Sequence, residues 1–135
     1  MKEERQPLRI GVVGTNFVSD WLVQAAQALP QFSAEPVQVT AVYSRAQATG
    51  DAFAARHGIP LVFTDYEAML HSPQVDAVYI ASPNVAHCAQ ALAAAAAGKH
   101  ILCEKVIAVN GSEFAAMRAA AEENGVVLME AMRPV

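Results

Sequence analysis

Residues Arg9 to Ser19 read RIGVVGTNFVS. The run Leu8 to Val13 is short and apolar, as a strand buried on both faces requires. Gly14 interrupts it, and Phe17 to Leu29 then carries apolar residues at helical spacing as far as Pro30. A strand that turns on a glycine into a helix opens a βα unit. Gly14 can take a positive φ. Asn16 occupies the place of the second glycine in a G-x-G-x-x-G/A pattern, and Asn is a non-glycine residue that tolerates the left-handed region. Ser19 occupies the third place, where a small side chain lets helix and strand pack closely. Gly11, Gly14, Thr15, Asn16 and Phe17 are the candidate residues of a turn whose backbone N–H groups would meet an anion at a helix N-terminus. A plain tight βα turn would look the same.

Working outward, the alternation continues. Val37 to Tyr43 and Leu61 to Phe63 read as strands, with a helix between them from Ala46 to His57, closed by Gly58. Asp65 to Leu70 reads as a short helix with Thr64 as its N-cap. Val75 to Ala81, His100 to Cys103 and Val126 to Met129 read as further strands. Helices are expected from Asn84 to Ala97, capped by Gly98, and from Ser112 to Asn124. In the latter, Phe114, Met117 and Ala121 share the inner face, Glu113, Arg118 and Glu122 lie toward solvent, and Asn110 with Glu113 resembles a capping box. Six strands alternating with helices imply an α/β fold: a doubly wound, parallel, Rossmann-type sheet in three layers, of order 3-2-1-4-5-6. The alanine run Ala93 to Ala97 fits a helix packed tightly on that sheet.

Composition narrows the class. The chain has 135 residues, 54% of them hydrophobic and 16% charged, with a formal net charge of -4. This is one globular domain with an aliphatic core. The acidic balance argues against a nucleic-acid surface. No run of 18 apolar residues predicts a membrane span. The polar start, MKEERQP, lacks the apolar stretch of a secretory signal. The two cysteines, Cys88 and Cys103, suggest reduced thiols in a cytoplasmic protein. The four histidines are scattered without metal-ligand spacing.

Three further motifs fall at strand ends, where a doubly wound sheet places its ligands. Ser44-Arg45 ends the second strand. A basic residue there, in place of an acidic one, suits the 2′-phosphate of NADP, although a solvated arginine at a helix start is the plainer reading. Ala81-Ser82-Pro83-Asn84 ends the fourth strand, since the residue before proline is extended. Asn84 can cap the next helix, and His87 sits in its first turn, where a solvent-facing histidine is the commoner case. Cys103-Glu104-Lys105 ends the fifth strand. A lysine there could serve a reacting oxygen, or pair with Glu104 at the rim.

Taken together, IGVVGTN, AVYSR, VDAVYIASPNVAH, AGKHILCEK and LMEAMRP resemble the N-terminal domain of the glucose–fructose oxidoreductase, inositol dehydrogenase and rhizopine-catabolism (Gfo/Idh/MocA) family over Leu8 to Pro134. The resemblance implies an oxidoreductase that uses NADP, with NAD possible, on a sugar, cyclitol or related alcohol. It implies that the glycine turn holds the pyrophosphate and that Ser44 and Arg45 meet the adenosine ribose or its phosphate. Ser82, Pro83, Asn84 and His87 would border the nicotinamide. Glu104 and Lys105 would match an E-K-P motif whose lysine assists proton transfer, making Lys105 the catalytic candidate. Two departures stand out: Asn16 replaces a glycine and Val106 replaces the motif's proline. The expected organisation is a disordered tail over 1–7, a dinucleotide-binding domain over 8–130, and over 131–135 the start of a linker to a C-terminal substrate domain. The 135 residues alone would then bind cofactor without turnover and would tend to self-associate. A nucleotide-binding sensor or assembly module without chemistry is the alternative.

Overall fold

The computed structural model of the chain describes residues 8–15, 19, 22–24, 37–81, 86–104 and 111–131. Strands β1 (Leu8–Val13), β2 (Val37–Tyr43), β3 (Leu61–Phe63), β4 (Ala77–Ile80), β5 (His100–Glu104) and β6 (Leu128–Ala131) form one sheet of order β3-β2-β1-β4-β5-β6. Every neighbouring pair is parallel. Helices α1 (Gln47–His57), α2 (Tyr66–Leu70), α3 (His87–Ala96) and α4 (Gly111–Glu123) connect them. Residue 19 and residues 22–24 are helical and lie inside the predicted segment Phe17 to Leu29. The strand order reverses between β1 and β4, where a doubly wound sheet opens its ligand crevice.

Strand alternation builds two cores. Val13, Ala41, Val78, Ile80 and Cys103 bury into one face with Met69, Ala94 and Met117 of α2, α3 and α4. Val12, Val42 and Tyr79 bury into the other with Val23 and with Phe53 of α1. Ala94 and Ala95 are fully buried, so the alanine run does let α3 approach closely. The register slips between Ile10 and Gly11, which pair with Val39 and Ala41 and skip Thr40. The Thr40 hydroxyl donates instead to the Gln74 carbonyl at 2.7 Å.

Several boundaries differ from expectation. Asp65, not Thr64, caps α2: its carboxylate accepts from the Glu67 amide at 3.1 Å. The last strand starts at Leu128 because the Val126 amide donates to the Ala121 carbonyl and is spent in closing α4. Phe114 is 41% exposed, whereas Glu113 is half-buried. The inner stripe of α4 is set by Met117 and Ala121, and the residue one turn earlier on that stripe is 113, not 114. Asn110 lies outside the described residues, as does Asn84. Neither cysteine is in a disulfide, and burial pushes the half-buried Cys88 thiol up.

Gly50 is a close-approach position inside α1. A Cβ there would lie 2.8 Å from Val62 Cγ1 and 3.1 Å from Ser44 Cβ. Gly50→Ala therefore sets a helix-propensity gain of roughly 1 kcal/mol against an overlap that costs about 1–3 kcal/mol. The expected net result is a loss of about 1 kcal/mol, read as a lower urea midpoint. A midpoint that stays or rises contradicts the contact.

At the amino ends of the central strands β1 and β4, Arg9 grips Asp76. Its Nε donates to Oδ2 and its Nη2 to Oδ1, each at 3.0 Å, and the Arg9 amide adds a bond of 2.9 Å. These bonds hold the Asp76 carboxyl below its ordinary value of 3.8. A carboxyl lowered in the folded state lends stability above its unfolded value and loses it as pH falls through the folded value. Asp76→Asn should therefore destabilise at pH 6, and the gap to the parent chain should narrow at an acid pH well below the ordinary 3.8. Urea titrations at the two pH values measure it; an equal gap at both rejects the pairing.

Candidate functional site

The parallel register brings the carboxyl ends of the strands level. Val13 lies opposite Tyr43 and Ile80, and Ile80 opposite Cys103. Gly14, Ser44, Ala81 and Glu104 thus share one edge. Gly14 has φ 107°, a conformation that side chains resist. Its backbone is tied on both sides. The Gly14 amide donates to the Tyr43 carbonyl at 3.0 Å, and its own carbonyl accepts from Ser19 Oγ at 2.9 Å. Ser19 is fully buried, as the small-residue reading requires. The half-buried Thr15 follows; Asn16 and Phe17 lie outside the described residues. A turn of this kind, at the switch point and leading into a helix, fits a phosphate group.

Gly11 stands apart from that edge. It lies within β1, three residues before the turn, and a Cβ there would meet Met69 Sδ at 3.0 Å and Val75 Cγ1 at 3.3 Å. The structure gives it a packing role.

At the end of β2, Ser44 is only 5% exposed. Its amide donates to the Phe63 carbonyl at 3.0 Å, and its hydroxyl is hydrogen-bonded to that of Thr49. Arg45 is exposed beside it. Beyond β4, the Ala81 amide donates to the Val13 carbonyl at 3.0 Å, which fixes that strand end against the glycine turn. Ser82, Pro83 and Asn84 lie outside the described residues.

His87 is fully buried, which corrects the solvent-facing reading. It shares the inner stripe of α3 with Ala91, Ala94 and Ala95, one and two turns on. Glu104 is also buried, at 6% exposure, and so does not stand at a solvated rim. It is the last residue of β5, and it accepts a hydrogen bond from the Tyr79 hydroxyl. Lys105 lies outside the described residues. Tyr79 and Thr49 were not singled out from sequence. A Tyr inside an aliphatic strand does signal a buried hydroxyl in need of a partner. Naming the partner needs the register that pairs Tyr79 with Leu102 and so puts Glu104 on the same face. No described helix is long and apolar enough to cross a membrane.

Residues 8–132 match the family described as "Oxidoreductase family, NAD-binding Rossmann fold". The chain is 44% identical over 126 residues to scyllo-inositol 2-dehydrogenase (NADP(+)) IolU of Bacillus subtilis (strain 168), covering 93% of this chain and 37% of that protein. It is 38% identical over 121 residues to trans-1,2-dihydrobenzene-1,2-diol dehydrogenase of Oryctolagus cuniculus, covering 90% of this chain and 36% of that protein. Among solved structures, levoglucosan dehydrogenase in complex with NADH and levoglucosan superposes with a TM-score of 0.86 at 32% identity, over 93% of this chain and 35% of that one. The chain therefore spans just over a third of the length of these relatives. The sheet order, the glycine turn at its switch point and the match over residues 8–132 establish that this chain belongs to that oxidoreductase family and carries its NAD-binding Rossmann fold.

Proposed function

We propose that the chain is the cofactor half of an oxidoreductase that prefers NADP(H) and acts on a sugar, cyclitol or related alcohol. The observation that carries the reading is Gly14: a positive-φ turn, anchored to β2 and to Ser19, at the point where the strand order reverses. In this reading Gly14, Thr15, Asn16 and Phe17 hold the pyrophosphate, and Arg45 reaches the 2′-phosphate of the adenosine ribose. Ser82, Pro83, Asn84, His87 and Glu104 border the nicotinamide side, Lys105 holds or passes the proton of the reacting oxygen, and Gly11 supports the strand beneath. When bound, the dinucleotide supplies or accepts a hydride. The activities of these relatives, on an inositol, a dihydrodiol and levoglucosan, support the substrate class.

Because those relatives are far longer, turnover is assigned to a longer protein in which residues 131–135 lead into a substrate domain. Orienting a substrate is worth about 7–11 kcal/mol of a barrier, so the 135 residues alone should bind cofactor and turn over negligibly. Val127 and Met129, 54% and 58% exposed near the free edge of the sheet, favour self-association of this chain. A cytoplasmic location belongs to the same reading.

Calorimetric titration tests it. The chain should bind NADPH more tightly than NADH. Arg45→Ala should weaken NADPH about tenfold, the scale of one charge-assisted hydrogen bond, and leave NADH unchanged. Failure of the parent chain to bind either nucleotide would overturn the assignment. An equal loss for both would remove Arg45 from the 2′-phosphate.

A further inference from the structure

The turn that carries Arg45 is pinned by hydroxyl groups. Thr49 Oγ1 donates to the Ala46 carbonyl at 3.0 Å. With its proton so engaged, the Thr49 oxygen can only accept from Ser44 Oγ, which lies within hydrogen-bond reach. The order is therefore Ser44 O–H to Thr49 Oγ1, and Thr49 O–H to Ala46 O. The Ser44 oxygen also accepts, weakly, from the Ala46 amide at 3.4 Å. The relay closes a loop from residue 44 to residue 49, and Arg45 stands inside it. Two further contacts hold the loop: the Ser44 amide on the Phe63 carbonyl at 3.0 Å, and the absence of a side chain at Gly50, where a Cβ would be 3.1 Å from Ser44 Cβ.

This arrangement has a chemical consequence. The only proton of the Ser44 hydroxyl is spent inward, so Ser44 has none to give an anionic ligand. α1 begins at Gln47, and its N-cap Ala46 offers no side-chain cap. Thr49 is no substitute for a cap, since it donates to a carbonyl; it holds the Ala46 carbonyl and the Ser44 hydroxyl of the turn together. A guanidinium whose Cα is fixed loses less freedom on reaching a phosphate than one on a loose turn.

We infer that Thr49 is a positioning residue for nucleotide selectivity: through Ser44 and Ala46 it fixes the turn that presents Arg45, and so sets the preference for a 2′-phosphorylated dinucleotide. This rests on the cofactor reading above. Ser44 acts within the same relay and not as a direct phosphate donor.

The test is calorimetric titration of NADPH and NADH with the full chain, alongside thermal melting. Thr49→Val, which keeps shape and removes the hydroxyl, should weaken NADPH about fivefold and leave NADH within about twofold. Thr49→Ser, which keeps the hydroxyl, should match the parent. Arg45→Ala/Thr49→Val should bind NADPH no more weakly than Arg45→Ala alone, because Thr49 acts only through Arg45. Should Thr49→Val fail to fold, Thr49→Ala carries the same expectations. A parallel loss of NADPH and NADH, no selective loss at all, or a further loss in the Arg45→Ala background overturns the inference while leaving the cofactor reading intact. No change in the NADPH to NADH ratio for Arg45→Ala overturns the inference and removes Arg45 from the 2′-phosphate, whereas failure of the parent chain to bind either nucleotide overturns the cofactor reading itself.

Discussion

Gly14→Ala should cost about 2–4 kcal/mol of stability, by strain and a strained or broken hydrogen bond, and should weaken NADPH binding at least about tenfold. The reason is that the glycine cannot move aside. At φ 107° a Cβ crowds the preceding carbonyl group. Rotating to a negative φ would withdraw the amide from Tyr43 O, or the carbonyl from Ser19 Oγ. Whichever is given up, β1 and β2 or β1 and the following helix lose their tie at the crevice. For a domain of this length each kcal/mol lowers the melting temperature by about 3–6 °C. Thermal melting with and without NADPH separates the two effects. The parent should be stabilised by the nucleotide, and Gly14→Ala should melt lower and gain less. A variant that melts and binds like the parent would show that the turn tolerates a side chain and is no cradle.

Tyr79→Phe should destabilise the chain by about 2 kcal/mol, within the 1–3 kcal/mol expected when a buried polar group loses a partner. Tyr79 is 3% and Glu104 6% exposed, so water has little access to replace the phenol. The ring itself stays, still packed with Val12 and Val23, which confines the change to one hydroxyl. A double-mutant cycle with Glu104→Met makes the claim specific. Removing both ends of the bond leaves less stranded than removing either, so the double variant should lose less than the sum, by about 1–2 kcal/mol. Urea denaturation of the four chains measures it, and additive losses would mean that the two groups do not act together. Functionally, the bond ties the end of β5 to the neighbouring strand one residue before Lys105. In a longer protein with turnover, Tyr79→Phe should lower the rate more than it lowers affinity for NADPH.

Much of this was legible in order along the chain. Apolar runs of strand length, broken by glycines and by helical spacing, imply parallel strands with helical crossovers, since few other arrangements bury such runs on both faces. Gly14 and Gly58 were readable because a positive φ is a local demand on one residue, and both do adopt it. Ser19 was readable because its packing role follows from a fixed offset to a strand end.

Contacts between distant segments were not readable, because register and crossover packing set them. Gly50 matters only because Val62 and Ser44 close on it. His87 is buried only because α3 turns that stripe inward. The Ser44 hydroxyl meets Thr49 and the Ala46 amide, contacts that only the folded turn brings together. Glu104 accepts from Tyr79, 25 residues earlier, only because β4 and β5 pair in this register. Periodicity and turn chemistry are properties of neighbours along the backbone, and they suffice for the architecture and the place of the crevice. Which polar groups there are spent on the protein, and which stay available to a ligand, depends on pairings across strands and helices.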